Sequence, residues 1–167
     1  RALTAMGVTT NIIDSSVNSK NLKNISERYA LRYNDKPLNS DILRDLESAF
    51  TYTRNRLDEK RYDRSIYTEL GIGPTIIDAM LREWKSMRRD LGCVDFEDLQ
   101  ELLYDECIVK NNIEVINFLR NRYNYIYVDE FQDTSQIQYA LLKIYASGAK
   151  KIVVIGDDDQ TIYSWRG

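Results

Sequence analysis

The sequence predicts an α/β protein in which a mostly helical portion leads into the beginning of a parallel sheet. Two short apolar runs, Tyr125-Ile-Tyr-Val128 and Lys151-Ile-Val-Val-Ile155, each end in a polar cluster. Runs of this length, rich in β-branched and aromatic residues, read as parallel strands buried on both faces. The residues between them carry a helical period, and a strand–helix–strand unit requires a right-handed crossover and a parallel pair. Upstream, roughly 1–122, apolar residues recur at helical spacing, so the expected division is a helical part over 1–122 and an α/β part over 123–167.

Composition narrows the possibilities. The chain has 167 residues, enough for one domain or one and a half, with a formal net charge of −3 and 29% charged residues. A slightly acidic balance does not suit a nucleic-acid coat, yet it allows a motor with a local DNA groove. The absence of histidine excludes His-ligated zinc and His-based triads within the sequence. Cys93 and Cys107 form no Cys-x-x-Cys pair and read as free thiols in a reducing compartment. No apolar run approaches the roughly 20 residues that span a bilayer, and residues 1–10 do not read as a secretory leader.

Taken in order, residues 1–19 are rich in turn and cap formers and predict loop or weak structure, with Val8, Ile12 and Ile13 touching the core. Leu22, Ile25, Tyr29 and Tyr33 predict a helix over 20–33, ended by Asn34-Asp-Lys-Pro37. Ser40 is the expected N-cap of a second helix reaching about Leu57, with Ile42, Leu46, Ala49, Phe50 and Leu57 on one side. Arg54, Arg56, Lys60, Arg61 and Arg64 form a basic cluster. It reads as solvated surface balanced by Asp58, Glu59 and Asp63, with a patch steering a DNA backbone as the alternative. Pro74 suits the first position of a helix to about Asp90. Its apolar stripe places Trp84 in the core and leaves Arg82, Lys85, Arg88 and Arg89 to face DNA or water.

Leu91-Gly92 breaks that helix, and Asp95 with Asp98 gives a near capping box for the next. Phe96, Leu99, Leu102 and Leu103 are expected on its apolar side, and Ile113, Val115, Ile116 and Leu119 on that of a short helix over 112–122. The strand 125–128 follows, then a helix capped by Ser135 and ended near Gly148, then the strand 151–155.

Ligand chemistry in an open α/β sheet lies beyond the carboxyl ends of its strands. Asp129, Glu130, Asp157 and Gln160 therefore line one rim. An Asp there can hold Mg²⁺, which takes one or two carboxylates plus substrate phosphates. A neighbouring Glu can deprotonate a water for in-line attack on phosphorus. A lone Asp-Glu pair is most often a solvated loop feature.

The longer pattern is more specific. Asp129-Glu-Phe-Gln-Asp-Thr134, then Gly156-Asp-Asp-Asp-Gln-Thr-Ile-Tyr-Ser-Trp-Arg-Gly167, resembles motifs II and III of the UvrD/PcrA/Rep-like superfamily 1 DNA helicases. Val94-Asp-Phe-Glu-Asp-Leu99 also resembles a segment that precedes motif II in that family. The resemblance is specific over about 93–167; over 1–92 only helical character and position agree. It implies a RecA-like motor domain, 1A, with a helical subdomain, 1B, inserted before motif II, and an ATP-driven motor moving 3′ to 5′ on single-stranded DNA. It implies Asp129 as the Mg²⁺ ligand and Glu130 as the catalytic base. Gln132 and Asp133 are implied as supporting groups of the nucleotide site, with Asp157 beside them. Gln160 is the implied γ-phosphate sensor, and Tyr163, Trp165 and Arg166 are the implied DNA contacts. Stacking on Trp165 would serve a motor that must step over any sequence; Tyr163 and Trp165 as core aromatics are the alternative.

The resemblance also marks what the sequence lacks. No Gly-Lys dipeptide occurs, so no Gly-x-x-x-x-Gly-Lys-[Ser/Thr] phosphate loop is present. The opening at Arg1 and the end just after motif III lead us to expect a piece of a longer helicase, inactive by itself. ATP and Mg²⁺ are the cofactors so implied. The implied partners are single-stranded DNA, duplex junctions and the rest of the helicase (the phosphate-loop part of 1A and domain 2A), with no membrane. The implied place is a bacterial or phage-like cytoplasm, at the nucleoid when on DNA. Two other readings stand beside this one. One is a non-catalytic DNA- or protein-binding module derived from a helicase. The other is a Mg²⁺ nuclease built on Asp129, Glu130, Asp157, Asp158 and Asp159, which motif order disfavours.

Overall fold

A computed structural model describes residues 11–157. The calls on Val8, Asp158, Asp159, Gln160, Tyr163, Trp165 and Arg166 lie outside the described residues. The fold is mixed α/β and mostly helical, and the described residues separate into two compact units.

One unit holds residues 11–54 and 58–98. Its first strand, β1 (Asn11–Ile12), pairs in parallel with β4 (Cys93–Val94). Helix α1 covers Ser15–Arg28, and the Asp14 carboxylate caps it by accepting the Ser16 N–H. The expected helix over 20–33 is thus corrected: the cap at Asp14 starts it five residues earlier. Arg32–Tyr33 (β2) and Lys36–Pro37 (β3) then form an antiparallel hairpin. Asn34 and Asp35 both have positive φ, 50° and 61°. A two-residue hairpin turn needs that geometry twice, and Asn and Asp tolerate it. Asn34-Asp-Lys-Pro37 is therefore a hairpin rather than a simple helix stop.

Helix α2 (Ser40–Asn55) is capped by Asn39, not Ser40: the Asn39 Oδ1 accepts the N–H groups of Asp41 and Ile42 at 3.1 and 3.0 Å. Leu46, Ala49 and Phe50 are fully buried, whereas Leu57, past the helix end, is exposed, as is Ile12. A short helix, α3 (Ser65–Glu69), leads through Gly71 to α4 (Pro74–Asp90), which starts at Pro74 as expected. Leu22, Ile25, Leu46, Phe50, Ile77, Met80 and Trp84 make the core of this unit.

Trp84 is core, and its indole N–H donates to the Asn18 carbonyl at 3.1 Å. Two charged residues join it there, which corrects two expectations. Arg88 is 0% exposed and Arg54 is 8% exposed, so neither faces DNA or water. Arg88 forks onto both carboxylate oxygens of Asp98 at 2.6 and 2.9 Å, and Arg54 onto both of Asp95 at 2.7 and 3.1 Å. Arg54 also reaches Asp98 at 2.7 Å. Two guanidinium groups and two carboxylates make a neutral, hydrogen-bonded set, which is the condition for burying charge. The helical period alone missed this because Arg88 lies one turn beyond Trp84 on the same stripe, where its guanidinium covers the indole ring at 4.7 Å. Of the remaining basic cluster, Arg61 lies 3.6 Å from Asp78 and Arg64 covers the Tyr52 ring.

Helix α5 (Phe96–Tyr104) begins with the expected reciprocal cap: Asp98 N–H donates to Asp95 Oδ1 at 2.7 Å and Asp95 N–H to Asp98 Oδ2 at 3.1 Å. Phe96 is exposed rather than on an apolar side, because the turn that buries Asp95 and Asp98 points Phe96 outward.

The second unit holds residues 55–57 and 99–157. Here α5 runs into a π-helical turn at Asp105–Val109, which sequence periodicity did not anticipate. Helix α6 (Ile113–Arg120) buries Ile116 and Leu119 but exposes Ile113 at its first position. Strand β5 (Tyr125–Val128) pairs in parallel with β6 (Lys151–Val154), from Tyr125 opposite Lys151 to Val128 opposite Val154. Between them runs α7 (Gln136–Ala146), with the Ser135–Gln138 capping box at its start. Gly148 lies so close to the Arg120 carbonyl that a Cβ there would overlap it. The strands are not buried on both faces as expected: Tyr127 is 70% exposed and Tyr125, Ile152 and Val154 are exposed. Two strands alone cannot cover each other's faces.

Candidate functional site

The site grows from the carboxyl ends of β5 and β6. Pairing continues past the strands: Ile155 N–H donates to the Val128 carbonyl at 2.8 Å, and Phe131 N–H to the Ile155 carbonyl at 2.9 Å. Residues 129–131 are thereby held beside residues 155–157. Glu130 takes a left-handed backbone, φ 51° and ψ 45°, which turns the chain sharply off the strand. Its N–H donates to Asp129 Oδ1 at 3.0 Å, so the side chain of Asp129 supports the turn that presents Glu130. Both residues are exposed on the rim.

Gln132 joins the two strand ends. Its Nε2 donates to Glu130 Oε2 at 2.6 Å, and its Oε1 accepts the Asp157 N–H at 3.0 Å. Gly156 makes room for this bridge, since a Cβ there would stand 2.9 Å from Gln132 Oε1 and 3.2 Å from the Phe131 Cβ. The sequence pointed to Gln132 and Asp157 but not to Gly156; a glycine directly after a strand was the available signal.

Asp133 closes a short 3₁₀ turn over Phe131–Asp133. Its Oδ1 is buried, and among the described residues it meets no hydrogen-bond donor. Behind it, Phe131 and Tyr139 pack edge to face and line a hollow of about 250 Å³ with Thr134, Ser135 and Gln136. The structure thus brings Asp129, Glu130, Gln132, Asp133 and the Asp157 backbone into one neighbourhood.

The donor set suits a hard cation. Asp129 and Glu130 offer exposed carboxylate oxygens, and Mg²⁺ takes one or two such groups with substrate phosphates. The buried, undonated oxygen of Asp133 is a further acceptor. Among the described residues no three His, Cys, Asp or Glu side chains converge as a metal-holding group, so phosphate oxygens and water would have to complete a coordination shell.

Residues 5–167 match the family described as the UvrD/REP helicase N-terminal domain. The chain belongs to that family. Within this UvrD/REP helicase domain, the Asp129-Glu130 pair follows β5 and Gly156 lies just past β6. A 74-residue segment is 49% identical to a probable DNA helicase II homolog of Mycoplasma capricolum, covering 44% of this chain and 10% of that protein. Similar segments are 45% identical to a probable DNA helicase II homolog of Rickettsia conorii (44% and 11%) and 43% identical to the ATP-dependent DNA helicase PcrA of Staphylococcus aureus (44% and 10%). These matches span only about a tenth of the relatives' length. Among the described residues, no helix is long and apolar enough to cross a membrane.

Proposed function

We propose that this chain is part of an ATP-dependent DNA helicase that couples ATP hydrolysis to 3′–5′ movement along single-stranded DNA and to duplex unwinding. The observation that carries the reading is the Asp129-Glu130 pair, set at the carboxyl end of a strand and tied through Gln132 to the loop after the neighbouring parallel strand. Membership of the UvrD/REP family supports it.

In this reading Asp129 holds Mg²⁺, which would neutralise charge on the nucleotide phosphates. Glu130 takes a proton from the attacking water onto its carboxylate. Gln132 orients Glu130, and Asp133 and Asp157 complete the polar surroundings. Gln160 senses the γ-phosphate, and Tyr163, Trp165 and Arg166 meet the DNA. Residues 1–122 correspond to the 1B subdomain and 123–167 to part of motor domain 1A. The partners are single-stranded DNA and its junction with duplex, together with the rest of the helicase, in the cytoplasm and at the nucleoid.

The test uses the full-length product of the gene. Glu130→Gln should lower single-stranded-DNA-stimulated ATP hydrolysis by about 10²–10⁴-fold, the usual share of a general base, while nucleotide binding persists. Undiminished hydrolysis would remove Glu130 from the role. With no Gly-Lys phosphate loop, the 167-residue chain alone should show no hydrolysis above background. The second reading is a non-catalytic DNA- or protein-binding module derived from a helicase. An immunoblot of source cells with an antibody to this chain separates the two: a band far larger than 19.6 kDa supports the helicase, and a band at that size the module.

A further inference from the structure

We propose that the amino-terminal ends of β5 and β6 form a contact surface for single-stranded nucleic acid, separate from the rim at their carboxyl ends. The two loops that enter these strands lie side by side. Lys150 N–H donates to the Asn124 carbonyl at 2.8 Å, and Arg120 Nε donates to Ser147 Oγ at 3.0 Å. The close approach of Gly148 to Arg120 fixes the same pairing. This brings Arg120, Arg122, Lys150 and Lys151 together, all exposed, while residues 116–125 and 147–152 contain no carboxylate.

Aromatic rings are interleaved with these charges. The Arg122 guanidinium lies 5.9 Å from the Phe118 ring and 5.7 Å from the Tyr123 ring, and both rings are partly open to solvent. Tyr123 is braced from behind by Tyr145, with ring centroids 5.9 Å apart. Beside them a hollow of about 440 Å³ is lined by Glu114, Asn117, Phe118, Asn121 and Arg122. A cationic strip tracks a phosphate backbone, and planar groups beside it stack unpaired bases. Duplex hides the faces of its bases, so this combination selects single strands. The surface is displaced along β5 from Asp129 by the length of the strand, about 13 Å at 3.3 Å per residue.

The test uses fluorescently labelled dT16 and rU16 on the 167-residue chain carrying Tyr163→Ala, Trp165→Ala and Arg166→Ala, so that the DNA contacts proposed after β6 are removed from the readout. Binding should persist in that background. Arg122→Glu with Lys150→Glu should weaken it at least about tenfold and flatten the slope of log affinity against log salt by roughly 0.7 per cation lost. Arg122→Lys, which keeps the charge but loses the plane, should give an intermediate loss. Both altered side chains are exposed, and an unchanged melting profile confirms the fold. Loss in the dT16 arm, the rU16 arm or both supports the surface and says which nucleic acid it takes. No binding in that triple-alanine background, or affinity and salt slope unchanged by the double reversal, overturns it. Equal binding of a 16-base-pair duplex, or equal competition by polyglutamate, overturns the stacking and leaves charge alone.

Discussion

Replacing Arg88 by alanine removes one of the two guanidinium groups that neutralise the buried Asp98 carboxylate. Breaking a buried pair from one side costs about 3–5 kcal/mol. With Arg54 still in place, we expect about 3 kcal/mol in urea denaturation; a loss within 0.5 kcal/mol, usual for surface substitutions, would show the network to be incidental. Burial alone pushes the Asp98 carboxyl up, but hydrogen bonds from Arg88, the charges of Arg54 and Arg88 and the Asp95 N–H outweigh it and hold the group below the ordinary 3.8. A value lower in the folded than in the unfolded state stabilises the fold above about pH 4, and that contribution drains away as pH falls toward the folded value. Unfolding free energy should therefore fall on acidification below pH 4, and Asp98→Asn should start lower and show a flatter fall. At the rim, Gly156→Ala places a methyl group against Gln132 Oε1. The amide is the movable partner, so it gives up the Asp157 N–H at a cost of about 1 kcal/mol. Hydrogen exchange at Asp157 should accelerate, and unchanged protection there would mean that the bridge survives. The sequence made Trp84 legible as core because it sits on an apolar stripe. It hid Arg54 and Arg88 because burial of an arginine depends on carboxylates more than 40 and 10 residues away, Asp95 and Asp98.

Local signals read well where the partner is local. Strand β5 falls on the expected residues, and α7 carries its expected cap, with Ser135 Oγ accepting the Gln138 N–H at 3.2 Å and Gln138 Oε1 accepting the Ser135 N–H at 3.0 Å. Ser135→Ala should cost about 1 kcal/mol. A melting temperature unchanged from the parent chain would show that the helix start is held by other contacts. Legibility fails where two signals compete. Asn34-Asp35 can stop a helix or turn a hairpin, and only the pairing of Arg32 with Pro37 decides between them. Ser40 and Asn39 are both good caps, and the backbone entry selects Asn39. The strands were legible as strands but not in their burial, because a run of apolar residues says that a strand needs cover and not that cover is present.

At the scale of the molecule, that exposed sheet has a physical consequence. Tyr125 and Tyr127 share one face, and Ile152 and Val154 lie on the other, all of them open to solvent. Among the described residues this sheet has two strands, and an open sheet with apolar faces and free edges invites association. The 167-residue chain should self-associate at high concentration, and Tyr127→Lys should suppress it. A sedimentation profile of monomer alone across the concentration range would contradict this. Motif order nominated the candidate site, and that order is a property of the whole segment rather than of any residue. Its internal wiring was not, since no spacing rule says that a glutamine will grip the loop after the next strand.

The Gln132 bridge implies a two-way exchange. One amide grips the Glu130 carboxylate and the Asp157 N–H, so it cannot move toward one without loosening its hold on the other. A ligand that draws Glu130 outward therefore loosens the hold on the Asp157 N–H. By reciprocity, whatever binds at the Asp157 backbone shifts the affinity at Glu130 by the same factor. A single side chain, kept in reach of both by the missing methyl of Gly156, is enough to make two strand ends report on each other.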